Sequence, residues 1–567
     1  MSESPIEQDS GAVIGIAFGN TTSSIAYTSA DGKAELIANE EGDRHIPSVL
    51  SYLDSDEFHG GEAKAQLVRN PTNTVAYFRD FLGKKYSEID PTNSHNSAHP
   101  IDVDGTVSFS VIEKHGKKAV NLSISEITSR HLGRLRQSAA DFLGKPVTGA
   151  VVTVPTDFTD AQREALVAAA KGADLQVLQV VHEPIAEALA YAAKENLQPQ
   201  DKILLVVDVG GTRSDASVIA VRGGMYTILA TAHDYELGGV HLDQVLVDHF
   251  AKEFLKKHKS DPRENPRALA KLKLECEGVK RTLSIATTAS IAIDSLHDGF
   301  DFHSNVNRTR YELLSRKVFD QIVKLAEQVV EKAELDLLDV DEVILAGGSS
   351  HTPKIAQRFA QLFPETTPVH APATDATALN PSELAARGAA LQASLVAEFD
   401  VEDIDQSTHP AVTVAPHLSK AIGVIVVGAD GSEEFQAILA AQTAIPARRL
   451  AEFSSPVEGG DVVIKFVEGA SEIHKTTPEK KPKAEATEGD DDDEDEDDEE
   501  EEEEEEIKTK HMKVEKVLAE ALLKDVQKGQ KIEVTIQAGA DSSLNVAVRI
   551  VGTQQGVRGV ISAAAAP

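Results

Sequence analysis

The apolar and polar positions of the chain form short apolar runs that end in glycine, separated by longer segments with helical periodicity. The clearest run is 203–207, which continues through Asp208 into Gly210 and Gly211. Apolar residues that do not alternate with polar ones are typical of a strand buried on both faces. The two glycines permit a tight turn whose backbone N–H groups approach an anion. The pattern predicts an anion-binding turn at a strand end, with the Asp208 carboxylate placed for a metal ion or its waters.

The same strand-and-turn pattern occurs near the start of the chain, at 13–18 before Gly19. When the two copies are aligned on their glycines, Gly19 matches Gly210 and Ala17 matches Asp208. We therefore predict one phosphate-binding hairpin in each of two lobes, with the carboxylate missing from the first. A third strand-to-glycine turn follows in the second half, with the residues Gly347, Gly348 and Ser349.

Between residues 11 and 393, strands and glycine turns alternate with segments of helical periodicity, which is typical of an α/β architecture. The predicted helices are 160–170, 183–193, 242–257, 267–283 and 317–335. An acidic stretch at 398–410 is predicted to be a linker. We expect residues 1–397 to form an α/β domain.

Beyond the linker, residues 411–567 contain short alternating segments that are typical of an all-β domain. The predicted strands are 421–427, 435–439, 461–467, 531–536 and 544–551. After the last predicted strand only residues 556–567 remain, and no helical bundle is expected. An unbroken run of 17 acidic residues, 490–506, interrupts the domain. Because like charges repel, we expect the segment 475–506 to be a disordered, solvated insertion.

The formal net charge is −36, and the chain stays acidic even without the run at 490–506. Affinity for nucleic acid comes largely from positive charge, so we expect no extensive direct contact with RNA or DNA. No apolar run approaches the length of a membrane span, and the first ten residues do not resemble a signal peptide. A single cysteine, Cys276, suits a reducing compartment. We therefore expect a cytoplasmic protein without membrane contact.

Several motifs, in order along the chain, resemble those of the seventy-kilodalton heat-shock (DnaK-type) chaperones, the Hsp70 family. They are 70–75, 153–155 with 162–163, 183–184 ahead of 188–191, 280–284, 289–296 and 347–349. The resemblance covers residues 11 to 393 and implies an actin-like, two-lobed ATPase domain with ATP at the bottom of its cleft. The domain after residue 410 resembles the family's β-sandwich substrate-binding domain in a reduced form without a helical lid.

The resemblance implies that ATP is held by the glycine turns, by one lysine and by one helix face. The implied residues are Gly19, Asn20, Thr21, Thr22, Lys64, Gly210, Gly211, Thr212, Arg213, Gly238, Gly239, Glu277, Lys280, Arg281, Ser284, Gly347, Gly348 and Ser349. The resemblance also implies that Asp208 and Glu183 contact the waters of a Mg²⁺ ion, if one is bound. Asp215 matches a further carboxylate of the family.

Several of these assignments have a structural alternative. The helix face equally suits an exposed, ion-paired surface, since spacings of three, four and seven place its residues together whatever they bind. Lys64 taken alone is a solvated charge, and Glu183 ahead of Pro184 suits a helix start. Arg213 either contacts phosphate or turns toward solvent or an acidic neighbour.

Within the phosphate site, the sequence departs from the family pattern. Ala17 stands where the family has an aspartate that holds metal-bound water, and Asn20 stands where it has a threonine. Arg213 replaces the threonine that contacts the γ-phosphate, and Thr212 replaces a glycine. His351 replaces an arginine at the adenosine turn. Phosphoryl transfer depends on positioning and charge neutralisation. We therefore predict that the chain binds ATP but hydrolyses it very slowly or not at all, and we assign no catalytic residue.

One branch of the family, the atypical subunit of the fungal ribosome-associated complex, combines a changed phosphate site with a lidless β domain. The hairpin 19–24 and the predicted β domain resemble that branch. This resemblance implies a stable heterodimer with a J-protein of the zuotin type, ribosome contact through that partner, and a functional link to a second, ordinary heat-shock chaperone. Two alternatives stay open: an active ATP-driven foldase, and a nucleotide-exchange factor of the large heat-shock type.

Overall fold

The computed structural model describes residues 11–90, 96–113, 118–195, 200–399, 417–427, 433–455, 459–476, 507–541 and 543–561. The chain divides into two compact units, Met1–Val414 and Ala415–Pro567. Apart from residues 398–399 and 475–476, the predicted linker and the predicted acidic insertion lie outside the described residues.

The first lobe of unit 1 (residues 12–182) is built on a sheet of order β12-β11-β1-β2-β3, with β4 paired to β2. Strands β1 to β12 are, in chain order, Ala12–Phe18, Thr22–Thr28, Ala34–Ile37, Ile46–Pro47, Val49–Leu53, Asp56–His59, Thr74–Ala76, Pro100–Val103, Thr106–Val111, Val120–Ser123, Val147–Val154 and Gln176–His182. Helices α1 to α3 are Gly60–Ala65, Ile124–Leu143 and Asp160–Gly172, and α4 (Glu183–Glu195) follows the lobe.

The second lobe of unit 1 (residues 202–371) is built on a sheet of order β15-β14-β13-β18-β19. Strands β13 to β19 are Lys202–Val209, Ser214–Arg222, Met225–Asp234, Thr288–His297, Phe300–Asn307, Glu342–Ala346 and Val369–His370. Helices α5 to α9 are Gly239–His258, Pro266–Ile285, Arg308–Leu314, Arg316–Lys332 and Pro353–Leu362, and α10 (Leu384–Val396) follows.

The central sheets of the two lobes share one topology. In each sheet an antiparallel hairpin, β1–β2 or β13–β14, lies beside a parallel strand, β11 or β18. Strand β13 is buried on both faces, because Leu205 and Val207 pack into one core while Leu204 and Val206 pack into another. This two-sided burial explains the unbroken apolar pattern of 203–207, and the two glycine turns follow equivalent strands.

Helices α4 and α10 join the two lobes by packing against each other. Helix α4 packs on the second sheet through Ala188 and Tyr191, and α10 packs on the first sheet through Ala386. Gly388 lies at the contact, where an added Cβ would stand 1.8 Å from the backbone oxygen of Ala186. The absence of a side chain at this position therefore allows the two helix backbones to approach closely.

Every regular secondary-structure element in the described residues of unit 2 is a β-strand. Strands β20 to β27 are Ala421–Val427, Glu433–Leu439, Ala447–Ser454, Gly460–Thr476, Ile507–Val526, Lys531–Ala538, Leu544–Ile550 and Gly556–Ile561. They form two four-stranded sheets of order β21-β20-β23-β24 and β22-β25-β26-β27. Apolar side chains from both sheets, including Phe466 and Ile536, share one core.

The structure corrects the predicted element bounds at several places. The helix expected to reach residue 335 ends at Lys332, and a short 3₁₀ turn, Leu337–Asp339, follows it. The prediction that 544–551 is the last strand is wrong, because Gly556–Ile561 pairs with β26. Strand β23 extends to Thr476, so the ordered hairpin reaches into the segment assigned to the insertion. Strand β22 was not predicted, because its sequence lacks a clear alternation of apolar and polar residues.

We expect Gly388→Ala to lower the free energy of unfolding of unit 1 by about 2 kcal/mol or more. The added methyl group meets the backbone of α4, which moves only at a cost typical of overpacking. Urea unfolding of the full chain, followed by circular dichroism, measures the loss. The matched control is Gly278→Ala in α6, where a Cβ meets nothing within 4 Å and helix propensity adds up to about 1 kcal/mol. Equal effects of the two substitutions would contradict the packing argument.

Candidate nucleotide-binding site

A cavity of about 490 Å³ lies between the two lobes of unit 1. Its size is within the range of small-molecule sites, about 300 to 1,000 Å³. Every residue that the resemblance assigned to ATP or Mg²⁺ lines this cavity, with the exception of Gly238. The chain therefore brings together turns, a lysine and a helix face that are up to 330 residues apart in the sequence.

The two glycine turns touch each other at the base of the cavity. The Asn20 amide nitrogen donates a hydrogen bond to the Thr212 hydroxyl at 3.2 Å. A Cβ on Gly211 would stand 2.4 Å from the Thr21 hydroxyl, so only glycine permits this approach. Gly238 lies behind the second turn, where a Cβ would stand 2.9 Å from the Arg213 backbone nitrogen. Its backbone supports the turn, and it is Gly239 that reaches the cavity.

Four carboxylates lie at the base of the cavity: Asp208, Asp215, Glu183 and Glu187. Among the described residues, the Oδ1 atom of Asp208 and the Oε2 atom of Glu187 are buried without a hydrogen-bond partner. Carboxylate oxygens that lack a donor suit a hydrated cation, since Mg²⁺ binds oxygen ligands and usually keeps several waters. The donor set therefore fits the Mg²⁺ that the resemblance implies, and the assignment of Asp208 and Glu183 to its waters stays a prediction.

Burial is the main influence on the proton affinity of these carboxylates. Burial raises the pKa of Asp208, and the nearby charge of Asp215 raises it further. The pKa of Glu187 lies well above its usual value for the same reason, with Asp208 as the next contributor. Burial also raises the pKa of Glu183, although the Arg79 charge opposes the effect. The site therefore favours a cation, a proton or a guanidinium beside each carboxylate.

Arg79 supplies one of the compensating charges. Its guanidinium lies 3.1 Å from Glu183 Oε1 and 2.8 Å from Asp80 Oδ1. It also donates to the Phe18 carbonyl oxygen at the end of β1, at 3.3 Å. The side chain is 5% exposed. Arg79 thus connects the first glycine turn to the start of α4.

Arg213 supplies the other compensating charge. Its Nε donates to Asp215 Oδ2 at 2.7 Å, and its two terminal nitrogens donate to the carboxylate of Asp157 at 2.9 and 3.3 Å. The residue is 4% exposed. Of the alternatives left open by the sequence, the structure places the guanidinium with acidic neighbours. Contact between Arg213 and phosphate stays a prediction, and it requires the guanidinium to leave these carboxylates.

One face of helix α6 lines the opposite end of the cavity. Lys64 of the first lobe donates to both carboxylate oxygens of Glu277, at 2.7 and 2.6 Å, across the cavity. Arg281 pairs with the same carboxylate at 2.6 Å. Lys280 lies 2.9 Å from Asp243 and donates to the Gly239 carbonyl oxygen at 2.8 Å. Here Lys64 is therefore paired with the helix face and does not extend toward the glycine turns.

The third glycine turn closes the cavity beside Asp208. Gly347 has φ +81°, and a Cβ there would stand 2.1 Å from Asp208 Oδ1. The Ser349 hydroxyl donates to the Gly210 carbonyl oxygen at 2.9 Å, which joins the second and third turns. His351 Nε2 lies 3.0 Å from the Ser382 hydroxyl, and burial lowers the pKa of this histidine. A neutral imidazole therefore stands where the family pattern has an arginine.

Glu187 is one of several site residues, with Arg79 and Asp243, that the sequence did not single out. Its side chain lines the cavity, and the residue is 2% exposed. It lies four residues after Glu183 and four before Tyr191, which is buried against the second sheet. Helical spacing therefore places Glu187 on the buried face of α4, and this signal was present in the sequence. A carboxylate at a buried helix position marks a candidate site.

No helix in the described part of the chain is both long enough and apolar enough to cross a membrane.

Comparison with known proteins gives consistent matches. The family described as Hsp70 protein matches residues 13–419. The chain is 46% identical to the ribosome-associated complex subunit SSZ1 of Saccharomyces cerevisiae, over 84% of this chain and 88% of that protein. It is 44% identical to the heat shock protein 70 homolog C57A7.12 of Schizosaccharomyces pombe, over 95% of this chain and 93% of that protein. It is 34% identical to the heat shock cognate 70 kDa protein 3 of Dictyostelium discoideum, over 82% and 71%. The two mixed sheets and their helices are consistent with the actin-like ATPase fold of that family, and the chain belongs to the Hsp70 family.

Proposed function

We propose that this protein is an atypical Hsp70 subunit that binds ATP, hydrolyses it very slowly or not at all, and acts as a scaffold in a ribosome-associated complex. Membership of the Hsp70 family implies ATP binding. The observation that carries the finer proposal is the state of the two glycine turns. The cavity and its binding groups are retained, while Ala17 offers no carboxylate and Arg213 is engaged by Asp157 and Asp215.

Retained binding and lost hydrolysis have different physical requirements. Binding draws on many distributed contacts: backbone N–H groups of the turns, Lys64, and the α6 face. Hydrolysis requires the attacking water and the metal waters to be positioned and the developing charge to be neutralised. Removing one such positioned group typically costs about 2–4 kcal/mol of transition-state stabilisation. Loss of the carboxylate at position 17 and of the hydroxyl at position 213 therefore slows hydrolysis far more than it weakens binding.

The residues assigned to the nucleotide are those that the family resemblance implies and that also line the cavity. The turns at Gly19 and Gly210 face the phosphates, and the α6 face with the turn at Gly347 faces the adenosine. Asp208 and Glu183 would hold the waters of a bound Mg²⁺ ion, which would neutralise phosphate charge. Asp208 and Glu187 present the oxygen atoms without donors that such waters can satisfy. A pocket of this kind keeps nucleotide as a structural cofactor.

The partner assignment follows from similarity to SSZ1, whose name describes a ribosome-associated complex subunit. We propose a stable heterodimer with a J-protein of the zuotin type in the cytoplasm, with ribosome contact through that partner. The complex would then stimulate a second heat-shock chaperone on nascent chains. The net charge of −36 favours this division, since a basic partner is better suited to contact RNA.

The domain organisation is part of the same proposal. We assign residues 1–397 to nucleotide binding, 398–410 to a linker, and 411–567 to a reduced β-sandwich that binds its partner without a helical lid. In the described residues of unit 2 every regular element is a strand. A short acidic linker and a lidless sheet suit steady partner binding better than a cycle of substrate capture and release.

We expect Ala17→Asp to raise the single-turnover rate of ATP hydrolysis about 10²-fold. Ala17 lines the cavity at the end of β1, so a carboxylate there reaches the phosphate end of the site. Quenched-flow measurement of phosphate release from the full chain gives the rate. Ala17→Asn is the matched control, since it has the size of aspartate without its charge. A wild-type rate equal to that of an ordinary Hsp70 would refute the scaffold proposal and favour an active foldase. Equal rates for the two variants would show that the missing carboxylate does not limit hydrolysis.

We expect Lys280→Met to weaken ATP binding by about ten- to a hundredfold. The lysine joins α6 to the turn at Gly239, and hydrogen bonds to charged groups contribute about 1.5–3 kcal/mol. Isothermal titration calorimetry of the nucleotide-free chain measures the affinity. Lys252→Met, an identical change at an exposed position on α5, is the control and should bind like the wild type. Unchanged affinity in Lys280→Met would show that α6 does not hold the nucleotide.

The partner assignment predicts that the purified protein retains a J-protein in a one-to-one ratio. Affinity capture of a tagged chain from its own cells, followed by mass spectrometry of the stoichiometric components, tests the prediction. A high-salt wash removes loosely bound ribosomal proteins and serves as the control. Capture of an ordinary heat-shock chaperone in place of the J-protein would support the exchange-factor alternative instead.

A further inference from the structure

A group of three side chains connects the two lobes at the base of the cavity: Arg213, Asp157 and Tyr235, here called the clamp. Arg213 and Tyr235 belong to the second lobe, while Asp157 follows β11 in the first. The two terminal nitrogens of Arg213 donate to the two carboxylate oxygens of Asp157, at 2.9 and 3.3 Å. Such paired, parallel hydrogen bonds are among the stronger charged contacts in proteins, and here they cross from lobe to lobe.

Tyr235 holds both members of this ion pair. The guanidinium carbon of Arg213 lies over the tyrosine ring, 4.3 Å from its centroid. The tyrosine hydroxyl donates to Asp157 Oδ2. Lys84 of the first lobe lies over the same ring at 5.9 Å, and His233 Nε2 lies 4.0 Å from Asp157 Oδ2. The carboxylate of Asp157 therefore has partners from two positions of the second lobe besides Arg213.

The groups of the clamp are held in fixed positions on their own lobes. The Gly210 nitrogen donates to the Arg213 carbonyl oxygen at 3.0 Å, which closes the turn between β13 and β14. The Nε of Arg213 is bound to Asp215, on strand β14 of the same lobe. The Arg213 and Asp157 side chains are only 5% and 18% exposed. Separating the lobes would break the paired hydrogen bonds to Asp157, while Arg213 would keep its contact with Asp215.

The clamp differs from the other ion pair that spans the cavity, Lys64 with Glu277. Both of those residues line the cavity and belong to the proposed nucleotide contacts, so a bound nucleotide competes with their pairing. Asp157 and Tyr235 do not line the cavity. Of the three clamp residues only Arg213 lines the cavity, so the bond from the Tyr235 hydroxyl to Asp157 involves no cavity residue.

We propose that Arg213, Asp157 and Tyr235 form an interlobe clamp that keeps the cleft closed without nucleotide and slows the release of bound nucleotide. The clamp makes the closed arrangement of unit 1 a property of the chain itself. The clamp deepens the proposed function, and its role in a permanent scaffold rests on that function. A cleft that stays closed presents the same surface to a partner with or without nucleotide. The closure itself is independent of whether ATP is hydrolysed.

Interlobe distance in the nucleotide-free full chain is the direct test. Ser110→Cys and Ser290→Cys place one spin label on an exposed strand of each lobe, and the native Cys276 is buried and will not react. Double electron–electron resonance should give one narrow distance distribution for this parent, and added ATP should leave it unchanged. Asp157→Asn should add a population at longer distance. A distribution in Asp157→Asn that is identical to the parent would overturn the clamp.

Nucleotide release provides an independent readout. Dissociation of a fluorescent ATP analogue should be at least tenfold faster in Asp157→Asn and in Arg213→Lys, because lysine cannot make the paired contact. The double variant should release nucleotide no faster than the faster single variant, since the two residues act as one pair. The matched control is Arg358→Lys, whose partner Asp320 lies in the same lobe, and it should release nucleotide like the wild type. Additive effects would contradict pairing.

Tyr235→Phe keeps the proposal testable if the charged variants unfold. It removes only the hydroxyl bond to Asp157 and should speed release about threefold, with an unchanged circular dichroism spectrum. Release at the wild-type rate would remove Tyr235 from the clamp. The two proposals fail separately. Rapid ATP hydrolysis would refute the scaffold function, while a distance distribution in nucleotide-free Asp157→Asn identical to that of the parent would refute the clamp.

Discussion

Compensation of buried negative charge is the constraint on which the arrangement of unit 1 depends. Asp208, Asp215, Glu183 and Glu187 lie together beneath the cavity, where burial raises the pKa of each. Desolvated carboxylates of this kind require a cation, a proton or a guanidinium beside them. The chain supplies guanidinium groups from Arg79 and Arg213. One carboxylate oxygen of Asp208 and one of Glu187 have no hydrogen-bond donor and suit a hydrated metal ion.

The positions of the two arginines turn this local requirement into a global one. Arg79 joins the end of β1 to the start of α4, so it couples the first glycine turn to a helix that packs on the second sheet. Arg213 joins the second glycine turn to Asp157 of the first lobe. Charge compensation and the relative placement of the lobes therefore depend on the same side chains. Helices α4 and α10 add apolar packing around this centre, with Gly388 permitting their close contact.

Much of the site could be predicted from the sequence, because it depends on the chemistry of neighbouring residues. A strand buried on both faces has an unbroken apolar pattern, and a turn that approaches phosphate needs glycine. Residues 203–211 have both features, so a buried strand and an anion-binding turn could be predicted there. The orientations of the charged side chains could not be predicted in the same way. Arg213 is oriented by Asp157, 56 residues earlier, and by Tyr235. The sequence around position 213 does not indicate a contact with Asp157 or Tyr235. Lys64 is likewise oriented by Glu277, 213 residues later.

The fold was predictable to a similar extent. Strands with alternating apolar residues, such as β25 and β26, were found near their true bounds. Strand β27 was missed because its side chains are almost all exposed, and β22 because its exposed positions include Leu450. Edge strands of this kind are fixed by pairing with a neighbour, and pairing leaves little trace in the hydrophobic pattern. Glu187 shows the converse, since its helical spacing was visible while its polar character concealed its burial.

The substitution at position 213 has two consequences that reinforce each other. An arginine there removes the hydroxyl that the family resemblance assigns to the γ-phosphate, and it adds a contact between the lobes. A bound nucleotide competes with the Lys64–Glu277 pair, because both residues line the cavity, so this contact between the lobes depends on the ligand. In the contact between Arg213 and Asp157 only the arginine lines the cavity, so a ligand meets one partner of the pair and not both. A protein that presents one surface to a partner needs the second property at least as much as the first. In the proposed scaffold, the arginine at position 213 therefore accounts both for slow hydrolysis and for a contact that holds the lobes together.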